Sequence, residues 1–313
     1  MKKSMKIRMA LGSVMIVGVA TVLYWDRHLE SANVLGVGVV GVPLAGLVAL
    51  MAAVGFLEIH RMAVAVGTSG LRISGVLGTV AVATLPVWGQ WLFTFDSRDG
   101  GDVATAALAA MPMLAMLPLL LLGVIVMAIF FEQMAAHRTE DALRRVAVTA
   151  LGVLYVGVGS CLVLWLRVRH GVEFLVLFLA VVKFTDMGAY FTGSFSGGKH
   201  KLIPWLSPGK SWEGLAGGLA AAAGVSVLGA WLLGIHPFGE AALFGEGSHV
   251  WRYVVFGVVV GAFGQFADLC ESLLKRAAGV KDSGALVPEF GGVLDILDSP
   301  LLAAPVALLY VAA

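Results

Sequence analysis

The sequence predicts an all-α, polytopic membrane protein: a bundle of about nine transmembrane helices with its N-terminus in the cytoplasm. Three observations predict it. Hydrophobic residues make up 59% of the 313 residues and charged ones 13%, with a mean hydropathy of +0.92; soluble domains run at about 45–50% apolar and about 25% charged. Apolar stretches about as long as a bilayer crossing recur along the whole sequence, and helices that close their own hydrogen bonds are the way such stretches cross lipid. Lys and Arg fall unequally on alternate breaks between them. The net charge of +1 argues against a nucleic-acid partner.

The candidate spans are 7–23, 34–57, 73–93, 104–131, 146–166, 172–191, 214–235, 251–270 and 293–313. Breaks such as YWDRHLESAN, FDSRDGGD and EQMAAHRTEDALRR separate them. The opening MKKSMKIRMALGSVMIVGVA has the build of a signal peptide, but reads as a signal anchor, the first of many helices. With the N-terminus in the cytoplasm, fifteen Lys and Arg lie on the cytoplasmic side and five on the other. That bias places the 192–213 loop on the cytoplasmic side and predicts a multi-pass protein of the cytoplasmic (inner) membrane. Cys161 and Cys270 lie in apolar segments without CxxC spacing and read as reduced.

The last span carries a length argument. Pro300 to Ala313 is too short to cross, so the helix must begin near Gly292 or Val293. Asp295 and Asp298 then sit one turn apart on one helical face, at the membrane or its cytoplasmic edge. Carboxylates at that depth are costly and point to function by default.

Two constellations carry chemistry. Around the span ending at Cys270, Gly257, Gly261, Gly264, Gln265, Asp268, Glu271, Ser272 and Lys275 share one direction at 100° per residue. A small-residue packing seam accounts for the glycines and leaves the charged residues to be explained, by an ion-pair cluster or by function. The second is VVKFTDMGAYFTGSFSGGKHKLIPWLSPGKSWEG, residues 181–214. Lys183, Asp186 and Tyr190 share a helical face there, and Lys199, Lys201 and Lys210 follow among glycines and serines. Gly193 to Lys199 has P-loop spacing, but His200 stands where Ser or Thr must bind magnesium, and no strand precedes it. No histidine pair has metal-ligand spacing. Several carboxylates, several cations and no obvious nucleophile suit a magnesium ion bridging carboxylates and phosphates, with lysines and an arginine on a polyphosphate. Phosphoryl or nucleotidyl transfer needs little else.

At this point the sequence resembles the phosphatidate cytidylyltransferases, or CDP-diacylglycerol synthases. Ser272, Lys275, Arg276, Lys281, Asp282, Gly284, Pro288, Gly291, Gly292, Asp295 and Asp298 fall in register with that family's C-terminal signature. Asp268, Glu271 and Ser272 look like its upstream motif, with Ala267 in place of a glycine. Asp186 to Gly193 and Ser207 to Gly214 are similar to further family patterns. The likeness spans roughly residues 180–300; the N-terminal spans match only in character.

The resemblance implies that CTP and phosphatidic acid give CDP-diacylglycerol and pyrophosphate, for phospholipid biosynthesis. It implies Mg2+, with a second cation in a metal pair held by Asp268 and Asp295 and with Asp298 nearby. Lys275, Arg276 and Lys281 are assigned to phosphates, and Asp282 to orienting a lysine or a water. Ser207, Lys210 and Glu213, with Asp186 and Lys199, complete the substrate side. Residues 1–170 then form N-terminal membrane helices, about five spans. Residues 171–313 form the catalytic membrane helices, with cytoplasmic loops 192–213 and 271–292.

Two positions depart from the signature. Glu289-Phe290 stands where the family has Gly-His, and Ile296 where it has Arg. If those residues touch phosphate, either the hold on anionic substrates weakens or Lys183 or Arg276 compensates. The alternatives are a related CTP-dependent lipid enzyme acting on a prenyl-ether phosphate or a polyprenol, an ion-coupled transporter using Asp268, Asp295 and Lys183, and an inactive scaffold. A homodimer along the glycine stripe is a further option.

Overall fold

The computed structural model describes residues 3–32, 40–96, 103–137, 139–235, 249–284 and 291–312. The described residues are helical apart from one hairpin and the connections. Six helices among the described residues are long and apolar enough to cross a membrane: Val42–Ala65, Met116–Ala135, Ala142–Phe195, Trp212–Leu233, Val250–Ala277 and Leu294–Ala312. This is a multi-pass helical membrane protein. Its helices divide differently from the nine expected spans. The expected 146–166 and 172–191 lie in one 54-residue stretch, broken at Gly171 with φ 88° and ψ 172°. The expected 73–93 is split at Thr84, because Pro86 has no N–H for the Val82 carbonyl.

The chain forms two compact units. The first comprises Met1–Val168 with Asp282–Asp295; the second comprises Arg169–Lys281 with Ile296–Ala313.

The first unit contains α1 (Lys3–Ala32), α2 (Val42–Ala65), α3 (Arg72–Ala83), α4 (Leu85–Asp96), α5 (Val103–Ala135) and α6 (Ala142–Gly152). A π-helical turn over Val153–Val158 joins α6 to α7 (Gly159–Phe195). Leu71, Val82, Leu85, Ile125, Ile129, Val153 and Cys161 form a core cluster. Phe56 is wholly buried, and its ring fills the space where a side chain at Gly75 or Gly152 would stand. Small residues thus let helices close around one aromatic ring. Arg167, also buried, forks across two carboxylates of α1: Nε donates to Asp26 Oδ2 at 2.5 Å and Nη2 to Glu30 Oε2 at 2.7 Å.

The second unit holds most of α7, then strands β1 (Lys201–Ile203) and β2 (Ser207–Ser211), α8 (Trp212–Leu233), α9 (Val250–Ala277) and most of α10 (Leu294–Ala312). The strands pair antiparallel, Lys201 with Ser211 and Ile203 with Ser207. Ser211 ends the hairpin and caps α8, its Oγ accepting from Gly214 N at 3.1 Å. The glycine stripe of α9 is used inside the chain. Gly257 lies against the Ala222 backbone, Gly261 against Thr185 and Ala222, and Gly264 near Val182 and Ser299. That close packing of α9 on α7, α8 and α10 aligns their polar residues.

Candidate functional site

The site grows from these helices in the second unit. On α9, one turn separates Asp268 from Glu271 and another separates Glu271 from Lys275, which keeps all three on one face. Lys275 Nζ donates to Glu271 Oε2 at 2.5 Å, and Glu271 is fully buried. Ser272 Oγ lies 3.4 Å from Asp268 Oδ1. From β2, Lys210 reaches α9 twice, with Nζ 2.9 Å from Asp268 Oδ2 and 2.9 Å from the Gln265 carbonyl. On α7, Asp186 Oδ1 accepts from Gln265 Nε2 at 2.7 Å; Lys183, Asp268 and Lys210 are the charges that face it. Asp298 of α10 is buried and accepts from Ser299 N at 2.6 Å.

Asp268, Glu271 and Asp298 each present an oxygen within 4.8 Å of the other two. Two unit charges at that separation repel by about 3.5 kcal/mol at an effective dielectric of about 20. Lys210 and Lys275 offset part of this, and a hard divalent cation bound by carboxylate oxygens would offset the rest. The donor set therefore fits a metal of the magnesium kind.

The remaining expected residues are dispersed. Ser207 is half-buried at the start of β2. The Glu213 carboxylate, in the first turn of α8, lies 2.6 Å from His200 Nδ1 at the hairpin base. Lys199, Lys281 and Asp282 are exposed. Arg276 is exposed at the end of α9 and donates to the Val280 carbonyl at 3.5 Å. Glu289 and Phe290 lie outside the described residues.

Asp295 belongs to the first unit, where its Oδ2 accepts from Ser283 N at 2.9 Å, Ser283 Oγ at 2.8 Å and Gly292 N at 2.7 Å. A neighbour that sequence reasoning missed shares this arrangement. Glu58, fully buried in α2, accepts from Val293 N at 2.9 Å and Leu294 N at 2.8 Å, and its Oε2 lies 3.1 Å from the same Ser283 Oγ. It thereby satisfies the first amides of α10. The paired glycines are required here: Gly291 has φ 93°, and a side chain at Gly292 would collide with Ser283 and Glu58. The signal that could have found Glu58 was a lone carboxylate inside an apolar run.

Comparison with known proteins gives the family of the chain. The model of a family described as "Cytidylyltransferase family" matches residues 6–313. A phosphatidate cytidylyltransferase of Haemophilus influenzae is 41% identical over 136 residues, 44% of each chain. Proteins of the same name from Staphylococcus epidermidis and Staphylococcus aureus are 35% and 36% identical over 155 residues, 50% of this chain and 55% of theirs. The chain thus spans about half the length of the curated relatives it matches.

Proposed function

Because the chain belongs to the cytidylyltransferase family, we propose that it is an enzyme that transfers the cytidylyl group of CTP to phosphatidic acid, forming CDP-diacylglycerol and pyrophosphate. A phosphate oxygen of the lipid attacks the α-phosphorus of CTP. The bond from that phosphorus to the bridging oxygen breaks, and pyrophosphate leaves with the electron pair. The observation that carries this reading is the group Asp268, Glu271 and Asp298 with Lys210 and Lys275 beside it, on helices that are otherwise apolar. Such a site holds a charged phosphate at headgroup depth while acyl chains remain in lipid. The names of the relatives support the same substrates.

In this reading the N-terminus and the hairpin face the cytoplasm, where CTP is, and the membrane is the inner one. Residues 1–170 are the N-terminal membrane helices and residues 171–313 the catalytic ones. Asp268, Glu271 and Asp298 would hold magnesium, while Asp295, the further ligand that the resemblance implies, keeps the N–H groups of Ser283 and Gly292. The metal, when bound, supplies charge neutralisation at the phosphates. Lys275, Arg276 and Lys281 receive phosphate oxygens, and Asp282 orients a lysine or a water. Asp186, Lys199, Ser207, Lys210 and Glu213 line the nucleotide side.

The test uses purified protein in detergent with magnesium, phosphatidic acid and CTP labelled in the cytosine ring. Label should enter the organic phase only with lipid and metal present, and Asp268→Asn should abolish it. Wild-type protein that is folded yet transfers no label would sink the reading. Abolished transfer by a folded Asp295→Asn protein would return Asp295 to the metal.

A further inference from the structure

Helix α10 contains a defect that a cation repairs. Pro300 has no N–H, so the usual bond from residue 300 back to the Ile296 carbonyl is missing. Lys183 Nζ, from α7, donates to that carbonyl at 3.0 Å. A carbonyl needs only a neutral donor, and here it receives an ammonium. The charge of Lys183 faces Asp186 and Asp298. The other two lysines of the cluster differ. Lys210 is 2.9 Å from Asp268, and Lys275 is 2.5 Å from Glu271. Lys183 instead directs its described bond to an uncharged oxygen, and an ammonium has three donors.

Ile296 is also the position at which the resembled signature carries an arginine. Of the two residues able to compensate, Arg276 donates to the Val280 carbonyl beyond the end of its own helix. Lys183 is the one that reaches the Ile296 turn.

We propose that Lys183 is a substrate-binding cation of this site, held at the Ile296 turn by the carbonyl that Pro300 leaves open and donating its remaining hydrogens to a substrate phosphate. The proposal rests on the cytidylyl-transfer reading and adds to it a phosphate contact supplied by α7. CTP and the lipid both offer phosphate oxygens, so the assay must separate them.

Steady-state constants for CTP and for phosphatidic acid in mixed micelles would be measured for wild type, Lys183→Met, Lys183→Gln, Lys183→Arg and Lys183→Met combined with Ile296→Arg. Mn2+ binding to each would be read by electron paramagnetic resonance. Loss of a charged hydrogen bond should raise KM for one substrate about ten- to a hundredfold in Lys183→Met and Lys183→Gln, with kcat changing less. The substrate affected identifies the phosphate. Mn2+ affinity should hold or rise, since a positive charge has gone. Lys183→Arg should stay near wild type, and Ile296→Arg should recover most of the lost affinity.

Gln keeps a donor and drops the charge. If Lys183→Gln matches wild type, the lysine only fills the carbonyl and the proposal is overturned. Lost kcat or folding at unchanged KM in Lys183→Gln would overturn it equally. Should Lys183→Met fail to fold, Lys183→Gln and Lys183→Arg decide. Failure of the underlying reading shows itself separately, as absence of transfer by the wild type.

Discussion

The two units bury carboxylates in opposite ways. In the first, the partners are built into the chain. Glu58 and Asp295 accept backbone N–H groups of residues 283 and 292–294 together with the Ser283 hydroxyl, while Asp26 and Glu30 share one buried arginine. In the second, Asp268 and Glu271 meet lysine ammonium groups on long flexible stems, and with Asp298 they crowd within 4.8 Å of one another. A backbone amide cannot leave its carboxylate when a ligand arrives. An ammonium can turn to a phosphate, and crowded carboxylates can share a cation. Depth in the membrane is therefore a poor marker of a site by itself. The kind of partner separates structural from chemical carboxylates.

The sharpest way to break that comparison is Asp298→Asn. Partners outside the ligand shell of a metal are worth about 10–100-fold in affinity or activity, and a direct ligand should exceed them. Turnover should fall at least about a hundredfold in protein that stays folded. Turnover near wild type would mean that the crowded carboxylates are merely another structural cluster.

Next in size is Arg167→Met. It strands Asp26 in a buried position with its charged partner gone, and breaking such a pair costs about 3–5 kcal/mol. The folded fraction on heating in detergent should drop sharply, whereas turnover per folded molecule should hold. Folded Arg167→Met protein without activity would move the first unit's ion cluster into the chemistry.

The same division explains what could be read from the sequence. Apolar length alone finds the starts of α8 and α9 closely and overlaps α2 with a shift along the chain, and the length argument puts the last helix's start near Gly292 or Val293, just before the Leu294 at which α10 begins. Helical spacing is local, so Asp268, Glu271 and Lys275 could be put on one face without a structure. Contacts between helices are not local. Nothing in residues 207–214 announces that Lys210 lies 2.9 Å from Asp268, or that Gln265 binds Asp186. In sequence the hairpin reads as a loop, because strands of three and five residues around Pro208 and Gly209 carry no alternation. Glu58 escaped because its partners are two backbone amides 235 and 236 residues away and a serine hydroxyl 225 residues away, and amides leave no residue-type signature.

The smallest effect, and the most discriminating for the first unit, is Glu58→Gln. The glutamine amide has one oxygen where the carboxylate had two. Its NH2 cannot replace Oε1, which faces the Val293 N–H at 2.9 Å. In the place of Oε2 it loses the Leu294 N–H but can donate to Ser283 Oγ. That exchange has a compensation. Ser283 Oγ lies 3.1 Å from Glu58 and 2.8 Å from Asp295, and its single hydrogen serves one carboxylate at a time. With an amide donating to the hydroxyl, its hydrogen can remain on Asp295. One buried amide left without its acceptor costs about 1–3 kcal/mol, and the settled hydroxyl should hold the net loss near the lower end. Thermal unfolding should therefore shift modestly and kcat little. A folded Glu58→Gln protein that has lost turnover would show that a carboxylate held by backbone amides takes part in chemistry, and the distinction drawn between the two units would fall.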